Sequence, residues 1–432
     1  MGIIKLLPAR ALRLSIVLLM FNQVQANEIF GGAISVNSSV SDNTTKTALE
    51  PAEERQDIYR ADLTADYTNW LIEAEADYQF YAQKFAENSQ ADDKYVDGHA
   101  SLVFGKQQDP FGLELDHSRH MLLQTPDAIG LVENMEEREI ITAAPVVRAR
   151  IFDADMLFVR GEVSQVNYLE GDEQDSQRNG ASLGWVHPLS ATDVLQLSAQ
   201  KIAVEFDQQP KSNYKLANTM LSYAVQLRKL NYSLAAGYNE TSPEVGQQEG
   251  SPAYNAELEY ISGFNKFSVA VSQQMTDSSF GDGSAYNPSD IPGGDGRIQD
   301  LALMDRKKVD VGWDTHWICA RCSLFIGTSF EYDDYLASDD TSRNLYTQAA
   351  FSYSLSNSAS LEFAAARSKY DFEGSQTMAD YLIDYLSFHY SYRFTSGVDV
   401  QLFARKENRE SDAVAQGYKE NVYGAGLGYF FK

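Results

Sequence analysis

Large apolar side chains alternate with small or polar ones along the last eleven residues before the terminal lysine, 421–431. A period of two with bulky groups on one face predicts a β-strand that rests on an apolar environment, as barrel strands do in lipid. A strand at the end of a soluble sheet is the alternative at this stage. One face carries Tyr423, Ala425, Leu427, Tyr429 and Phe431, and the other carries Asn421, Gly424, Gly426 and Gly428.

The same alternation recurs throughout the chain. In the segment 59–67, Tyr59, Leu63 and Tyr67 share one face, while Asp62 and Asp66 share the other. Each such segment places apolar groups on a single side, which predicts strands that are half apolar and half polar. Further alternating segments are 71–80, 230–239, 254–260, 386–393 and 398–405.

The connections between these segments alternate between short and long. Short turns fall at 68–70, 107–110, 153–155, 228–229, 262–265, 319–322, 356–358 and 395–397. Longer polar connections cover 37–56, 83–94, 117–138, 168–178, 239–252, 276–303, 332–344, 368–380 and 406–418. Short turns at one end and long loops at the other are typical of outer-membrane β-barrels. We predict an all-β chain with a single antiparallel transmembrane β-barrel of about 20 strands; 18 is the alternative, because segments near 28–36 and 139–152 alternate weakly.

The amino terminus predicts the compartment. Lys5, Arg10 and Arg13 precede a short apolar run, and small residues at Val24 and Ala26 follow it. This order is that of a secretory signal peptide, and the apolar run is shorter than the roughly 20 residues of a spanning helix. We therefore expect residues 1–26 to be a cleaved signal peptide and residues 27–432 to form the barrel in the bacterial outer membrane.

The net charge of the chain limits the classes of molecule that it is expected to bind. The formal net charge is −26, and removal of the three basic residues in 1–26 changes it to −29. A surface of this sign argues against nucleic acid, because phosphate binding needs basic residues. The charges suit water-exposed loops and a wet barrel interior.

The polar faces of the strands supply candidate lumen-lining residues. Arginines and carboxylates are mixed there, so ion pairs that brace the wall are one interpretation and a charged path for a polar solute is the other. The basic candidates are Arg148, Arg150, Arg160, Arg393 and Arg405. The acidic candidates are Asp62, Asp66, Glu73, Glu75, Glu257 and Asp399.

Two short motifs have structural explanations. The segment 180–184 matches the G-x-S-x-G nucleophile pattern, but Ser182 lies inside an alternating strand rather than at a strand-to-helix turn, so we expect no catalysis there. Cys319 and Cys322 are the only cysteines, and they flank a predicted tight turn. In an oxidising envelope compartment we expect a structural disulfide; a redox dithiol, or a metal site with His316, is the alternative.

Two polar groups in the predicted loops are candidate sites. His117 and His120 form the single histidine cluster, at the rim of a predicted loop, and would be the residues of a barrel hydrolase. Acidic runs recur in the loops, and their oxygens could bind Ca²⁺ or Mg²⁺ that bridge to lipopolysaccharide or glycans. Ordinary solvation is the favoured interpretation of both groups, and we expect no cofactor. The acidic runs are Glu133, Glu136, Glu137 and Glu139; 170–175; Asp282, Asp290 and Asp295; and Asp333, Asp334, Asp339 and Asp340.

Several segments resemble outer-membrane β-barrel proteins associated with exosortase/PEP-CTERM systems. The segments that carry the resemblance are 41–45, 57–63 and 138–150. The resemblance implies an envelope protein without enzymatic activity, encoded with surface-polysaccharide or protein-sorting functions. Expected partners are outer-membrane lipid and lipopolysaccharide, the barrel assembly machinery, and polysaccharide or envelope export components.

Three functional hypotheses follow. The first is a non-enzymatic pore or export conduit for a polar solute or exopolysaccharide, because barrels of 16–18 strands already leave an aqueous channel. The second is a structural or adhesive surface protein with a blocked lumen and acidic cation- or glycan-binding loops. The third is a barrel hydrolase that uses His117 and His120.

Overall fold

The fold is known from a computed structural model. It describes residues 27–106, 108–125, 127–152, 154–169, 174–277, 303–336, 340–374 and 378–431. The predicted signal peptide, residues 1–26, lies outside these ranges.

The described residues form twenty β-strands. The two weakly alternating segments are both strands, β1 and β6, so the prediction of 20 strands is confirmed and the alternative of 18 is wrong. The strands are β1 Asn27–Ser41, β2 Glu54–Thr68, β3 Ile72–Phe85, β4 Asp93–Phe104, β5 Phe111–Leu123, β6 Met135–Ile151, β7 Asp155–Tyr168, β8 Ser176–Pro188, β9 Asp193–Phe206, β10 Tyr214–Gln226, β11 Leu230–Pro243, β12 Glu249–Ser262, β13 Asn265–Asp277, β14 Leu303–Thr315, β15 Cys322–Tyr335, β16 Thr341–Ser354, β17 Ala359–Glu373, β18 Tyr381–Arg393, β19 Val398–Ser411 and β20 Tyr418–Phe431.

Every strand pairs antiparallel with its neighbours in sequence, and the first strand pairs with the last. The closing ladder of β1 and β20 runs from Gly32 opposite Phe431 to Ser41 opposite Val422. Closure removes the two open edges that a sheet would otherwise present. The backbone N–H and C=O groups of β1 and β20 that face each other are therefore hydrogen-bonded. The predicted fold, a closed antiparallel β-barrel, is therefore confirmed.

The two ends of the barrel differ in the length of their connections. The turns after even-numbered strands contain two to six residues, whereas the connections after odd-numbered strands contain five to 25. Short 3-10 helices lie in or beside the long connections, at Val132–Asn134, Pro210–Ser212 and Val414–Gln416. Within the described ranges, no helix has the length and apolar character needed to cross a membrane.

The strands run further towards the long connections than predicted. Residues 117–138, for example, were predicted as one loop, but β5 continues to Leu123 and β6 begins at Met135. Near the long connections both faces of the strands carry polar side chains, so the sequence no longer alternates between apolar and polar residues. The backbone hydrogen bonds between the strands nevertheless continue there. The long loops therefore lie where they were expected, but they are shorter than predicted.

The outward face is the apolar one. On β20, Tyr423 is 63 % exposed and Leu427 is 59 % exposed, as the terminal alternation predicts. Aromatic side chains are exposed in or beside the short turns, where barrel proteins place an interfacial girdle. These are Trp70, Phe111, Phe152, Phe264, Trp317 and Phe394.

Buried side chains concentrate on the inner face near the long connections. One cluster contains Leu122, Val166 and Tyr168, and a second contains Val204, Phe206 and Tyr214. A third combines Tyr370, Phe372, Tyr381 and Ile383. Small packed clusters thus line the inside of this end of the barrel.

One ladder is interrupted where a glycine is required. β4 pairs with β5 only from Gly98 opposite Arg119 to Phe104 opposite Leu113. Gly98 has φ +145°, and a Cβ there would lie 2.1 Å from the carbonyl oxygen of Asp77. Only glycine fits this backbone. Beyond it, the amide of Val96 donates to a carboxylate oxygen of Glu137 instead of to β5.

Candidate functional site

The interior of the barrel is the candidate functional site. Strand register places all of the predicted lumen residues on the inner face. For example, Asp399 pairs with Arg393 on β18 and with Gly428 on β20. The residues concerned are Arg148, Arg150, Arg160, Arg393, Arg405, Asp62, Asp66, Glu73, Glu75, Glu257 and Asp399.

Four of the five predicted inward arginines, all except Arg150, are paired locally, mostly with acids outside the predicted set. A guanidinium nitrogen of Arg160 lies 3.1 Å from Glu114 and another lies 2.7 Å from Glu162. Arg148 reaches Glu114 at 4.0 Å. Arg393 and Asp399, both predicted, approach to 3.6 Å. These pairs neutralise the arginines, so most of the positive charge of the wall is already compensated.

The inner faces of β2 and β3 carry a group of four neighbouring carboxylates. Asp66 lies directly opposite Glu75 in the ladder, with Glu73 and Asp77 beside them. Among the described residues, no lysine, arginine or histidine forms an ion pair with any of the four. Like charges placed directly opposite each other destabilise a sheet. This acidic wall, defined as Asp66, Glu73, Glu75 and Asp77, therefore costs stability and gives the interior a local negative field.

Near the tip of the hairpin of β13 and β14, β13 separates from β12 and the hairpin bends inside the barrel, while β14 stays paired with β15 as far as Met304 opposite Tyr335. The ladder between β12 and β13 stops at Tyr254 opposite Gln273. Beyond that pair, Asp277 contacts Arg178 of β8 and the hydroxyl of Tyr214 of β10. Arg178 and Tyr214 both lie on the inner faces of their strands. Asp277, by contrast, would face outward if β13 continued along the wall.

The contacts that attach this tip to the inner wall are buried. Asp277 is 2 % exposed, and an Nη of Arg178 donates to its carboxylate at 2.6 Å. Leu303, at the start of β14, packs on the cluster of Val204, Phe206 and Tyr214. The tip thus covers part of the inner wall between β8 and β12.

A second inward element is the connection 42–53. The ammonium group of Lys46 lies 3.3 Å from Glu407 and 3.9 Å from Glu420, and both carboxylates are almost fully buried. The same ammonium lies 5.4 Å from the ring centre of Tyr418. A buried carboxylate is stable only when paired and hydrogen-bonded, so Lys46 ties the connection to β19 and β20.

A third inward element is the connection 124–134. Arg409 of β19 donates to the carbonyl oxygens of Asp127 and Ala128, the latter at 2.8 Å. The Asp127 carboxylate accepts a hydrogen bond from Gln416 at 3.3 Å and one from the Ala379 amide at 3.4 Å. These contacts join the connections after β5, β17 and β19 at the mouth of the barrel. They narrow the mouth further.

The two histidines do not form one site. The His117 ring contacts the Tyr78 hydroxyl and lies 3.2 Å from Glu139. Nδ1 of His120 lies 3.2 Å from Asp97. Both residues belong to β5 rather than to a loop, and their difference of three positions puts them on opposite faces of the strand. The prediction of a histidine cluster at a loop rim is therefore wrong.

Several of the acidic runs are also in strands rather than in loops. Glu136, Glu137 and Glu139 belong to β6, and Asp333 and Asp334 belong to β15. Asp333 accepts two hydrogen bonds from Arg306, at 2.8 and 3.1 Å. Residues 170–173, Asp282, Asp290, Asp295 and Asp339 lie outside the described residues. In the described ranges, no group of three or more metal-ligating side chains is arranged to hold an ion.

The remaining motifs are structural. Cys319 and Cys322 are joined by a disulfide across the turn between β14 and β15, and Nδ1 of His316 lies 3.1 Å from the carbonyl oxygen of Cys322. Ser182 lies in the middle of β8, opposite Arg160 of β7 and Gln200 of β9. A serine there has no strand-to-helix turn to expose it.

Comparisons with known proteins do not assign a family. No protein-family model matches the sequence, and no curated protein matches it. Among solved structures, a loop L8 deletion mutant of OmpT, an outer membrane protein of Vibrio cholerae, is 11% identical, with 94% of this chain and 99% of that chain covered and a TM-score of 0.38. OpdL of Pseudomonas aeruginosa is 12% identical, with 94% and 99% covered and a TM-score of 0.38. The siderophore receptor PirA of Acinetobacter baumannii is 10% identical, with 93% and 80% covered and a TM-score of 0.48. At these scores the likenesses carry no functional argument.

Proposed function

We propose that the chain is a non-enzymatic β-barrel of the bacterial outer membrane that forms a pore for a polar solute. The outward face supports the membrane location, because large apolar side chains are exposed all around the barrel. Exposed apolar patches of this extent are stable in lipid and promote aggregation in water. Examples are Leu183, Leu221, Leu234, Leu386 and Leu402.

The acidic wall is the observation that carries the pore proposal. A barrel of twenty strands encloses more space than side chains fill, since 16–18 strands already leave a channel. Carboxylates that form no ion pair with the described residues, such as Asp66 and Glu75, are tolerated in the wall only where water reaches them. Their field favours cations and polar neutral solutes over anions. An exopolysaccharide, which the resemblance to exosortase-associated barrels suggests, is a narrower form of this proposal.

Single-channel recording in planar bilayers tests the proposal. We expect discrete conductance steps and a reversal potential that shows preference for potassium over chloride. Purified barrel that inserts, shows heat-modifiable gel migration and gives no conductance steps would contradict the pore. Recovery of the chain in the soluble periplasm would contradict the membrane location itself.

The inward elements favour one second candidate, a structural or adhesive surface protein with a blocked lumen. The β13–β14 tip and the connections 42–53 and 124–134 all lie within the mouth. If together they seal it, the wild-type barrel gives no current, while variants that release the tip do. A barrel hydrolase has no such support, because His117 and His120 face opposite sides of β5.

A further inference from the structure

The wall of the barrel has a gap between β4 and β5. Their ladder stops at Gly98 opposite Arg119, short of the ends of both strands. In these described strands, residues 93–97 of β4 stay paired with β3 and residues 120–123 of β5 stay paired with β6, but the two segments do not pair with each other. We call the gap between them the lateral window. There the wall is joined by side chains instead of by backbone hydrogen bonds.

Three side-chain contacts close the lateral window. On the lumen side, Nδ1 of His120 lies 3.2 Å from a carboxylate oxygen of Asp97. On the outward side, Glu137 of β6 accepts a hydrogen bond from the Val96 amide at 2.6 Å and forms an ion pair with Arg119. These contacts can break while every backbone ladder of the wall stays intact. The window therefore opens at a smaller cost than any fully paired part of the barrel.

The lower edge of the window lies inside the apolar band of the barrel. Arg119 is eight residues from the start of β5. At about 3.3 Å per residue and a tilt of about 40°, this is about 20 Å above the short turns, within an apolar band about 25 Å tall. Phe80 of β3 lies opposite Val96, at the level of the window, and its outward side chain is 44 % exposed. The outer side of the window therefore faces lipid.

The lumen side of the window has aromatic and aliphatic flanks. On β3 and β4, the rings of Tyr81 and Tyr95 stack with their centres 4.6 Å apart. On β5 and β7, Leu122 packs with Val166 and Tyr168, and all three are buried. An alkyl chain that enters from the lipid meets these side chains before it meets the water of the lumen, so its passage keeps it in apolar surroundings.

The direct path out of the lumen is obstructed above the window. The side-chain amide of Gln90 accepts a hydrogen bond from the Val132 amide at 3.0 Å and donates one to the carbonyl oxygen of Thr44 at 2.7 Å. Thr44 and Val132 belong to the two inward connections 42–53 and 124–134. These connections therefore meet above the window, and a path through the wall leads round them.

The acidic wall leads up to the window along β3. Asp77 is its highest member, and the next inner position, Gln79, lies opposite Asp97 of the window. On the neighbouring strand, Arg60 already pairs with Asp62. The carboxylates of the acidic wall form no ion pair with the described residues, so their field favours a cationic group over an anionic one below the window.

We propose that the lateral window passes a single-chain amphiphile with a cationic head group between the lumen and the outer leaflet. The head group follows the acidic wall in the water of the lumen, while the alkyl chain lies between the separated strands and on the apolar flanks. A single unbranched chain is the slimmest apolar group, so it needs the least separation of β4 from β5. The inference rests on the proposed pore and its outer-membrane location, with the long connections outside the cell.

Photolabelling of the purified barrel in lipid nanodiscs tests this proposal. The probe is an alkylammonium with a diazirine at the end of its chain, which partitions into the lipid, and labelled peptides are identified by mass spectrometry. We expect labels on the lumen-facing Leu122 and Val166 in the wild type. Glu137→Gln removes the ion pair with Arg119 and should raise this labelling about tenfold, the factor for one charge-assisted hydrogen bond.

Glu139→Gln is the matched control. Glu139 is a similarly buried carboxylate on the same face of β6, and its partner His117 belongs to the part of β5 that is paired with β4. This variant should label as the wild type does.

A reversible lock provides the second test. Asp97→Cys combined with His120→Cys, in a chain with Cys319 and Cys322 replaced by serine, should close the window on oxidation. We expect labelling of Leu122 to be lost in the oxidised protein and restored by reduction.

Three results would overturn the proposal: labelling of Leu122 that persists in the oxidised lock, an equal rise in both glutamate variants, or equal labelling by a fatty acid of the same chain length. Absence of lumen-face labels in both the wild type and Glu137→Gln would also overturn it. Labelling that depends on the window, in a barrel without conductance, would leave the window standing and reject the pore alone.

Discussion

Arg178 and Asp277 lie 99 residues apart in sequence, and their side chains meet at 2.6 Å inside the barrel. Arg178 belongs to β8 and Asp277 to β13, so four strands of wall separate the elements that carry them. The contact exists because the β13–β14 tip leaves the wall and lies across those strands. This buried pair, together with the packing of Leu303 on the inner wall, therefore fixes how far the tip extends over the mouth.

Asp277→Asn should release the tip. The substitution keeps the shape of the side chain and removes the charge that pairs with the buried guanidinium of Arg178, at a cost of about 3–5 kcal/mol. We expect faster hydrogen exchange in 303–306 and a higher single-channel conductance. Asp384→Asn, at an exposed ion pair on the outward face, is the control and should leave both unchanged. Identical conductance in Asp277→Asn and wild type would show that the tip does not limit the pore.

Neutralising the acidic wall should change ion selectivity. Asp66→Asn combined with Glu75→Gln removes two unpaired charges from adjacent strands, and we expect the reversal potential to move towards that of an unselective pore. Stability should rise by about 0.2–1 kcal/mol, because a like-charge cross-strand pair disappears. Glu205→Gln, at an exposed position of β9, is the control. Unaltered selectivity in the double variant would place the selective region elsewhere.

Removing the disulfide should leave insertion and conductance intact. Cys319 and Cys322 are three positions apart, so the bond constrains a very short loop. The expected loss for replacing both with serine lies at the low end of about 0–5 kcal/mol. Maleimide labelling should require prior reduction. Labelling of unreduced protein from native membranes, or loss of conductance in the serine variant, would reopen the redox and metal hypotheses.

Gly98→Ala should impair folding of the barrel. Its Cβ would meet the Asp77 carbonyl oxygen in a backbone conformation that only glycine adopts readily, which costs about 2 kcal/mol or more. We expect the temperature at which the folded band disappears on gels to fall. Gly161→Ala is the matched control, because the nearest atom to its Cβ lies 3.5 Å away, an ordinary contact. Equal stability of the two variants would show that β4 can adopt another path at this position.

The side-chain alternation determined the barrel, the approximate strand number and the inner or outer face of most residues. Arg405 and Asp399 were assigned to the inner face in this way, because register along a closed ladder follows a strict period of two. Turn lengths determined which end carries the long connections. Spacing alone also placed Cys319 and Cys322 at a tight turn. All of these properties depend on residues near one another in sequence.

Tertiary structure decided what the interior contains. Periodicity would place Asp277 on the outer face, and only the departure of β13 from the wall brings it to Arg178. Lys46 and Asp127 lie in irregular connections, where no period indicates a direction, and their partners Glu407 and Arg409 are hundreds of residues away. Strand periodicity specifies the wall of a barrel locally, whereas contacts across its mouth depend on packing between distant segments.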